Sequence, residues 1–169
     1  MRRVVVTGLG IVSSLGDGAD AVAQSLKSAR SGIVSSPEFI EHGFRSQVWA
    51  PPAIGDWTER VDRRASRFLA AGTAWAHIAF EEALKDSGLS PDEIKNERIG
   101  LIVGEGGPST QVIIEAAQTT LEKGSPKRVG PFAVPKAMAS GPSAVLGTWL
   151  GLKGINYSIS AACATSAHW

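Results

Sequence analysis

Asn156-Tyr157-Ser158-Ile159-Ser160-Ala161-Ala162-Cys163-Ala164-Thr165-Ser166-Ala167-His168 changes character half-way along. Its first five residues alternate as a strand does, and from Ser160 to Ala167 the side chains are all small. A strand followed by a tight turn of small residues is what a nucleophile elbow requires, because short side chains let a substrate carbonyl approach the sulfur. A helix starting at Cys163 would add free N–H groups and a dipole that favour thiolate over thiol. The plainer alternative is a buried, inert thiol, the common state of a lone cysteine. Local pattern leaves both readings open. Cys163 is the only cysteine, which excludes an internal disulfide and any multi-cysteine metal centre.

Upstream, Ser143 to Leu150 reads as a small-residue helix in which Ala144 and Gly147 invite close packing, preceded by Lys136-Ala137-Met138-Ala139-Ser140-Gly141. Ser109 to Lys123 is a further helix, bounded by Gly124-Ser125-Pro126. Ile99 to Val103 is a buried strand that opens into the loop Gly104-Glu105-Gly106-Gly107-Pro108. Asp62 is the expected N-cap of one long helix through Asp86, with Phe68, Ala71, Trp75, Ile78, Ala79 and Leu84 on its buried face and Gly88 as its stop. Between Ser31 and Trp57, prolines and glycines leave loops with one short strand at Ser46–Val48. The chain opens with a buried strand, Val4 to Thr7, a glycine turn, and a short helix from Asp20 to Ala29 with Val22 and Leu26 four apart. Strands alternating with helices predict an α/β fold with a largely parallel sheet.

Bulk properties narrow the function classes. Apolar residues at 43% and charged residues at 20% belong to a globular chain with a sizeable core. A formal charge of +1 gives no bulk attraction to nucleic acid or an anionic membrane. Met1-Arg2-Arg3 is basic, but the apolar run behind it is too short for a signal peptide, and no run is long enough to span a bilayer. A cytoplasmic protein is expected.

Other motifs point to weaker chemistry. Gly8-Leu9-Gly10 follows a strand as a dinucleotide fingerprint would, but Ser13 occupies the third glycine position and no acidic residue stands where a ribose contact belongs. A tight strand-to-helix turn is the favoured reading. Gly104, Gly106 and Gly107 lack the ending of a phosphate-binding loop. His168 lies five residues past Cys163, roughly 140° around an α-helix, and should not serve the sulfur as its base; His42 and His77 are scattered. Arg60, Arg63, Arg64 and Arg67 form one basic cluster, and Lys123, Lys127 and Arg128 another. Taken alone, each reads as a solvated face.

In combination these segments resemble the β-ketoacyl-acyl-carrier-protein synthases, closest to the type I enzymes of bacterial fatty-acid synthesis. The resemblance is carried by Val6-Thr-Gly-Leu-Gly-Ile-Val-Ser-Ser14, by Lys136 to Gly141, and by Asn156 to His168, in the family's order. The ending Ala-Thr-Ser-Ala-His and a glycine at 107, where type II enzymes carry a bulky gate to the acyl pocket, are similar to type I. Alternatives within the same fold are a type II synthase, a polyketide ketosynthase, or a non-catalytic chain-length partner or fragment that only docks carrier protein.

The resemblance implies a thiolase-like αβαβα layered fold, with residues 1–169 as the amino-terminal half of one synthase domain, cut just after the nucleophile. It implies that Cys163 takes the acyl group from its carrier and that the Cys163 N–H forms half of an oxyanion hole. Gly107 and Met138 would line acyl pockets, Met138 across a homodimer seam where the strand at 156–160 meets its twin. Arg63, Arg64, Arg67 and Lys127 would dock acyl- and malonyl-carrier protein. No cofactor or metal is implied, and no nucleic-acid or membrane partner. The family's two catalytic histidines, its lysine and its second oxyanion N–H belong to the carboxyl-terminal half, so this chain is expected to be inactive alone and to end in an exposed apolar helix at Trp169.

Overall fold

The computed structural model describes residues 3–168. In chain order the elements are β1 (Val12–Ser13), β2 (Gly16–Asp17), α1 (Ala19–Lys27), β3 (Val34–Ser35), α2 (Pro37–Glu41), β4 (Val48–Trp49), α3 (Arg63–Ser66) and α4 (Ala71–Ser87). They continue with β5 (Leu101–Gly104), α5 (Thr110–Lys123), α6 (Ala133–Ala137), α7 (Gly141–Leu150) and β6 (Asn156–Ile159). Two units form: residues 3–57 with Ile78–Gly88, and Thr58–His77 with residues 89–168. Met1-Arg2 of the basic opening and Trp169 of the expected apolar end lie outside the described residues.

In the first unit the expected strand at Val4–Thr7 does not form; Val4 is 91% exposed and Val6 80%. A strand needs a neighbour's N–H and C=O groups within reach, and none of the described strands pairs with this segment. Side chains of α4 hold the following residues instead. The Leu9 N–H donates to Asp86 Oδ2 at 2.9 Å, while the Ile11 and Ala19 N–H groups donate to the two oxygens of Glu82 at 2.8 and 2.7 Å. Gly8 and Gly10 explain themselves here, because a Cβ at either would run into the carbonyls of Ala83 and Ala79 on α4. They are close-approach glycines against a helix rather than the tight strand-to-helix turn expected, since no strand precedes them among the described residues. Between these anchors β1 and β2 make a short antiparallel ladder, and α1 buries Val22 and Ser25, the latter donating to Leu15 O at 2.6 Å. Leu26, four residues on, is exposed. Where a short strand was expected at Ser46–Val48, β4 begins at Val48 and pairs antiparallel with β3.

The second unit is organised by one parallel pair. β5 and β6 run side by side in the register Leu101↔Asn156 to Gly104↔Ile159, and α5, α6 and α7 form the crossover that parallel strands require. Two sequence cues mark helix ends: Asp62 Oδ1 caps α3, accepting from Arg64 and Ala65 N–H, and Gly124 closes α5 in the left-handed region; Gly151 closes α7 in the same way. The single helix expected from 62 to 86 is broken, however. Residues 67–68 form a turn, and the irregular residues after it carry Leu69, 1% exposed, and Ala70 into the core. Phe68, expected on the buried face, is partly exposed and sits edge-on to Phe132, with ring centroids 4.9 Å apart.

α7 packs against both strands and buries Leu146. Gly147 has no room for a Cβ beside the Asn156 side chain. A polar seam runs along the same face: Asn156 Nδ2 donates to Ser143 O at 2.9 Å, and Ser158 Oγ to Ser143 Oγ at 2.7 Å. On α7's outer side Trp149 stacks on the buried His77 ring, 4.4 Å away. No helix among the described residues is long and apolar enough to cross a membrane.

Candidate active site

β6 ends at Ile159 and delivers the chain into a helical turn, Ala162–Ala167, with Cys163 exposed as its second residue. The buried-thiol reading therefore fails. The turn is a six-residue 3₁₀ segment rather than an α-helix, so the expected α-helical dipole behind the sulfur is not present.

The backbone just before the cysteine is bent sharply. Ala162 has φ of +48°, one of two non-glycine residues with positive φ among those described; the other, Ala29, follows α1. For alanine this conformation costs roughly 1–2 kcal/mol, so something must hold it. Thr165 does so. Its buried hydroxyl accepts the Ala161 N–H at 2.8 Å and donates to the Ala162 carbonyl at 2.7 Å. A hydroxyl can do both at once, and two such bonds at roughly 1 kcal/mol each offset the strain. Ala164 N–H closes the turn onto Ala161 O at 3.0 Å. Among the described residues nothing accepts the Cys163 N–H and no hydrogen bond reaches its Sγ. Cys163 itself is exposed.

The loop leaving β5 lies against this turn. Glu105 N–H donates to Ile159 O at 3.2 Å, and a Cβ at Gly106 would meet only Ala162 O, 3.8 Å away. At Gly107 a Cβ would meet nothing within 4 Å. Glu105 itself is half-buried, and its Oε2 has no hydrogen-bond partner among the described residues. Burial holds its carboxyl above the usual range. Met138, exposed at the end of α6, lines a cleft of about 360 Å³ with Ala139, Ser140, Ser158, Ile159 and Ser160. Gly107 and Met138 are thus both brought to the β6 end of the sheet. Sequence reasoning passed over Thr165 and Glu105. Thr165 carried a signal, since threonine in a tight turn commonly bonds back to nearby backbone.

The basic residues stand elsewhere in the unit. Arg63 and Arg64 are on α3 and Arg67 at its C-terminal cap, all exposed and without an ion pair among the described residues. Arg64 borders an apolar groove of about 430 Å³ with Asp62, Phe68, Val145 and Trp149. Lys127 is exposed on the turn Pro126–Arg128. The Phe68–Phe132 contact ties the chain next to the arginines to the chain next to Lys127. His168 caps the cysteine turn through its backbone and is exposed.

The family model described as β-ketoacyl synthase, N-terminal domain, matches residues 1–169. The chain belongs to the β-ketoacyl synthase family. The 3-oxoacyl-[acyl-carrier-protein] synthase 1 of Escherichia coli (strain K12) is 46% identical over 99% of this chain, which spans only 41% of that synthase. A crystal structure of a β-ketoacyl synthase from Burkholderia phymatum STM815 superposes with a TM-score of 0.80 at 29% identity, covering 99% of this chain and 41% of that one. A type II polyketide ketosynthase solved in complex with its acyl-carrier protein shares the fold, with a TM-score of 0.69 at 20% identity over 88% of this chain and 39% of that one. The fold is therefore the thiolase-like ketosynthase fold, of which this chain matches the amino-terminal domain. Among the described residues its parallel sheet is the β5–β6 pair, and the other ladders are two-residue antiparallel pairs.

Proposed function

We propose that residues 1–169 are the amino-terminal part of a type I 3-oxoacyl-acyl-carrier-protein synthase and supply its nucleophile. The Cys163 thiolate attacks the carbonyl of an acyl-carrier-protein thioester; the tetrahedral intermediate collapses, releasing the carrier thiolate and leaving the acyl group on sulfur. Malonyl-carrier protein then loses carbon dioxide. Its carbanion forms a carbon–carbon bond to the acyl carbonyl, the carbon–sulfur bond breaks, and Cys163 returns as thiolate. The observation that carries this reading is the free Cys163 N–H beside an exposed Sγ in a strained turn. A donor held free at that point meets the charge that develops on the carbonyl oxygen in the transition state, where it counts most.

Gly107 leaves room for the acyl chain, and Met138 lines an acyl pocket across a homodimer seam formed by β6 and its twin. Arg63, Arg64, Arg67 and Lys127 dock the acidic carrier, a role in keeping with their exposure and lack of internal partners. Such a protein works in the cytoplasm. The test is intact-mass analysis of the full-length synthase incubated with acyl-carrier protein. The acyl mass is expected on the wild type and absent from Cys163→Ala; acylation that survives the substitution overturns the reading. The 169-residue chain alone is expected to show no condensation.

A further inference from the structure

Thr165 has no place in the chemistry above, yet it is the best-connected side chain in the cysteine turn. Its hydroxyl bridges the N–H of Ala161 and the carbonyl of Ala162, which belong to the Ser160–Ala161 peptide and to the Ala162–Cys163 peptide that carries the Cys163 N–H. Ala162 is also where the backbone enters the left-handed region. The torsions of Ala162 set the direction of the next peptide plane, and that plane carries the Cys163 N–H. Thr165 is 6% exposed, so water does not compete for its hydroxyl.

We propose that Thr165 is a positioning residue for acyl transfer: its two hydrogen bonds hold the Ala161–Ala162 backbone so that the Cys163 N–H points at the carbonyl oxygen of the thioester under attack. The inference rests on the proposed role of Cys163. A second consequence follows from the chemistry of the two reactions open to the sulfur. Attack on a thioester builds charge on oxygen and uses the N–H; alkylation by iodoacetamide builds none and needs only the exposed sulfur. Losing the bridge should slow the first reaction and spare the second.

The experiment compares wild type, Thr165→Val and Thr165→Ser in the full-length synthase. Valine keeps the shape of the side chain and removes both hydrogen bonds, while serine keeps them. Acylation of Cys163 by acyl-carrier protein is expected to slow roughly 10- to 100-fold in Thr165→Val, as for a donor displaced by a fraction of an ångström. KM should stay unchanged, iodoacetamide alkylation should stay within about twofold of wild type, and Thr165→Ser should recover most of the lost rate. Equal acylation of Thr165→Val and wild type overturns the inference, as does a parallel loss of acylation and alkylation, which would mark a purely structural role. Wild type that is alkylated but never acylated would instead overturn the nucleophile reading, and this one with it.

Discussion

Val4-Val5-Val6 and Leu101-Ile102-Val103 are both short aliphatic runs, and they are held in different ways. Leu101 is 9% exposed, its strand bonded along its length to β6 and covered by α7. Val4 to Val6 stand in solvent, and the backbone just after them hangs from two carboxylates of α4. β propensity and apolarity are common to both, so neither is sufficient. A neighbouring strand is the deciding factor, since it alone answers every second N–H and C=O of an extended chain.

The largest test of that contrast is a pair of substitutions in the 169-residue chain. Leu146→Ala, in the helix that covers β5 and β6, is expected to cost about 3 kcal/mol in urea denaturation, whereas Val4→Ser should cost less than about 0.5 kcal/mol. A comparable loss from Val4→Ser would mean that the opening run is packed after all. A smaller effect should separate the carboxylate anchors from the ladder. Glu82→Gln keeps the shape but turns two charge-assisted bonds into at most one good neutral one, expected to cost roughly 1–2 kcal/mol. Hydrogen exchange should quicken at Ile11 and Ala19 and stay unchanged in β5 and β6.

The smallest effect should come from Glu105 at the end of the paired region. Its folded carboxyl holds its proton more tightly than the unfolded one, so ionisation costs stability as pH rises through the folded pKa, and the cost is absent below the unfolded value. Glu105→Gln should therefore leave Tm unchanged below about pH 4 and raise it by roughly 1–3 °C at pH 7, a small effect because the side chain is only half-buried. A lower Tm at pH 7 would show that the carboxylate has a favourable partner.

Features set by neighbouring residues in the chain were legible before any coordinates. Asp62 caps a helix, Gly124 ends one, and Asn156 to Ser160 leads as a strand into the turn at Cys163. What was not legible depends on distant partners. Nothing local forbids a helix through 67–70, which carry no proline or glycine; the break follows from burying Leu69 and Ala70. Likewise nothing near Glu82 announces that its two oxygens will take N–H groups from residues 11 and 19. At the site, Cys163, Gly107 and Met138 could be picked out by motif, but the Thr165 bridge exists only once Ala162 has adopted a backbone that its sequence does not demand.

The polar seam between β6 and α7 has a bearing on the accuracy of the chemistry. Asn156 and Ser158 sit two apart and so face the same way, both onto Ser143. Sliding β6 by one residue would turn both away, break both bonds to Ser143, and bring the bulkier Tyr157 and Ile159 to that face. The same slip would carry the cysteine about 3.3 Å along the sheet, several times the tolerance of roughly 0.5 Å within which reacting groups must be held. Ser143, which touches no substrate in any reading given above, thereby works as an alignment key: it permits one setting of the strand, and that setting fixes the height at which the sulfur is presented.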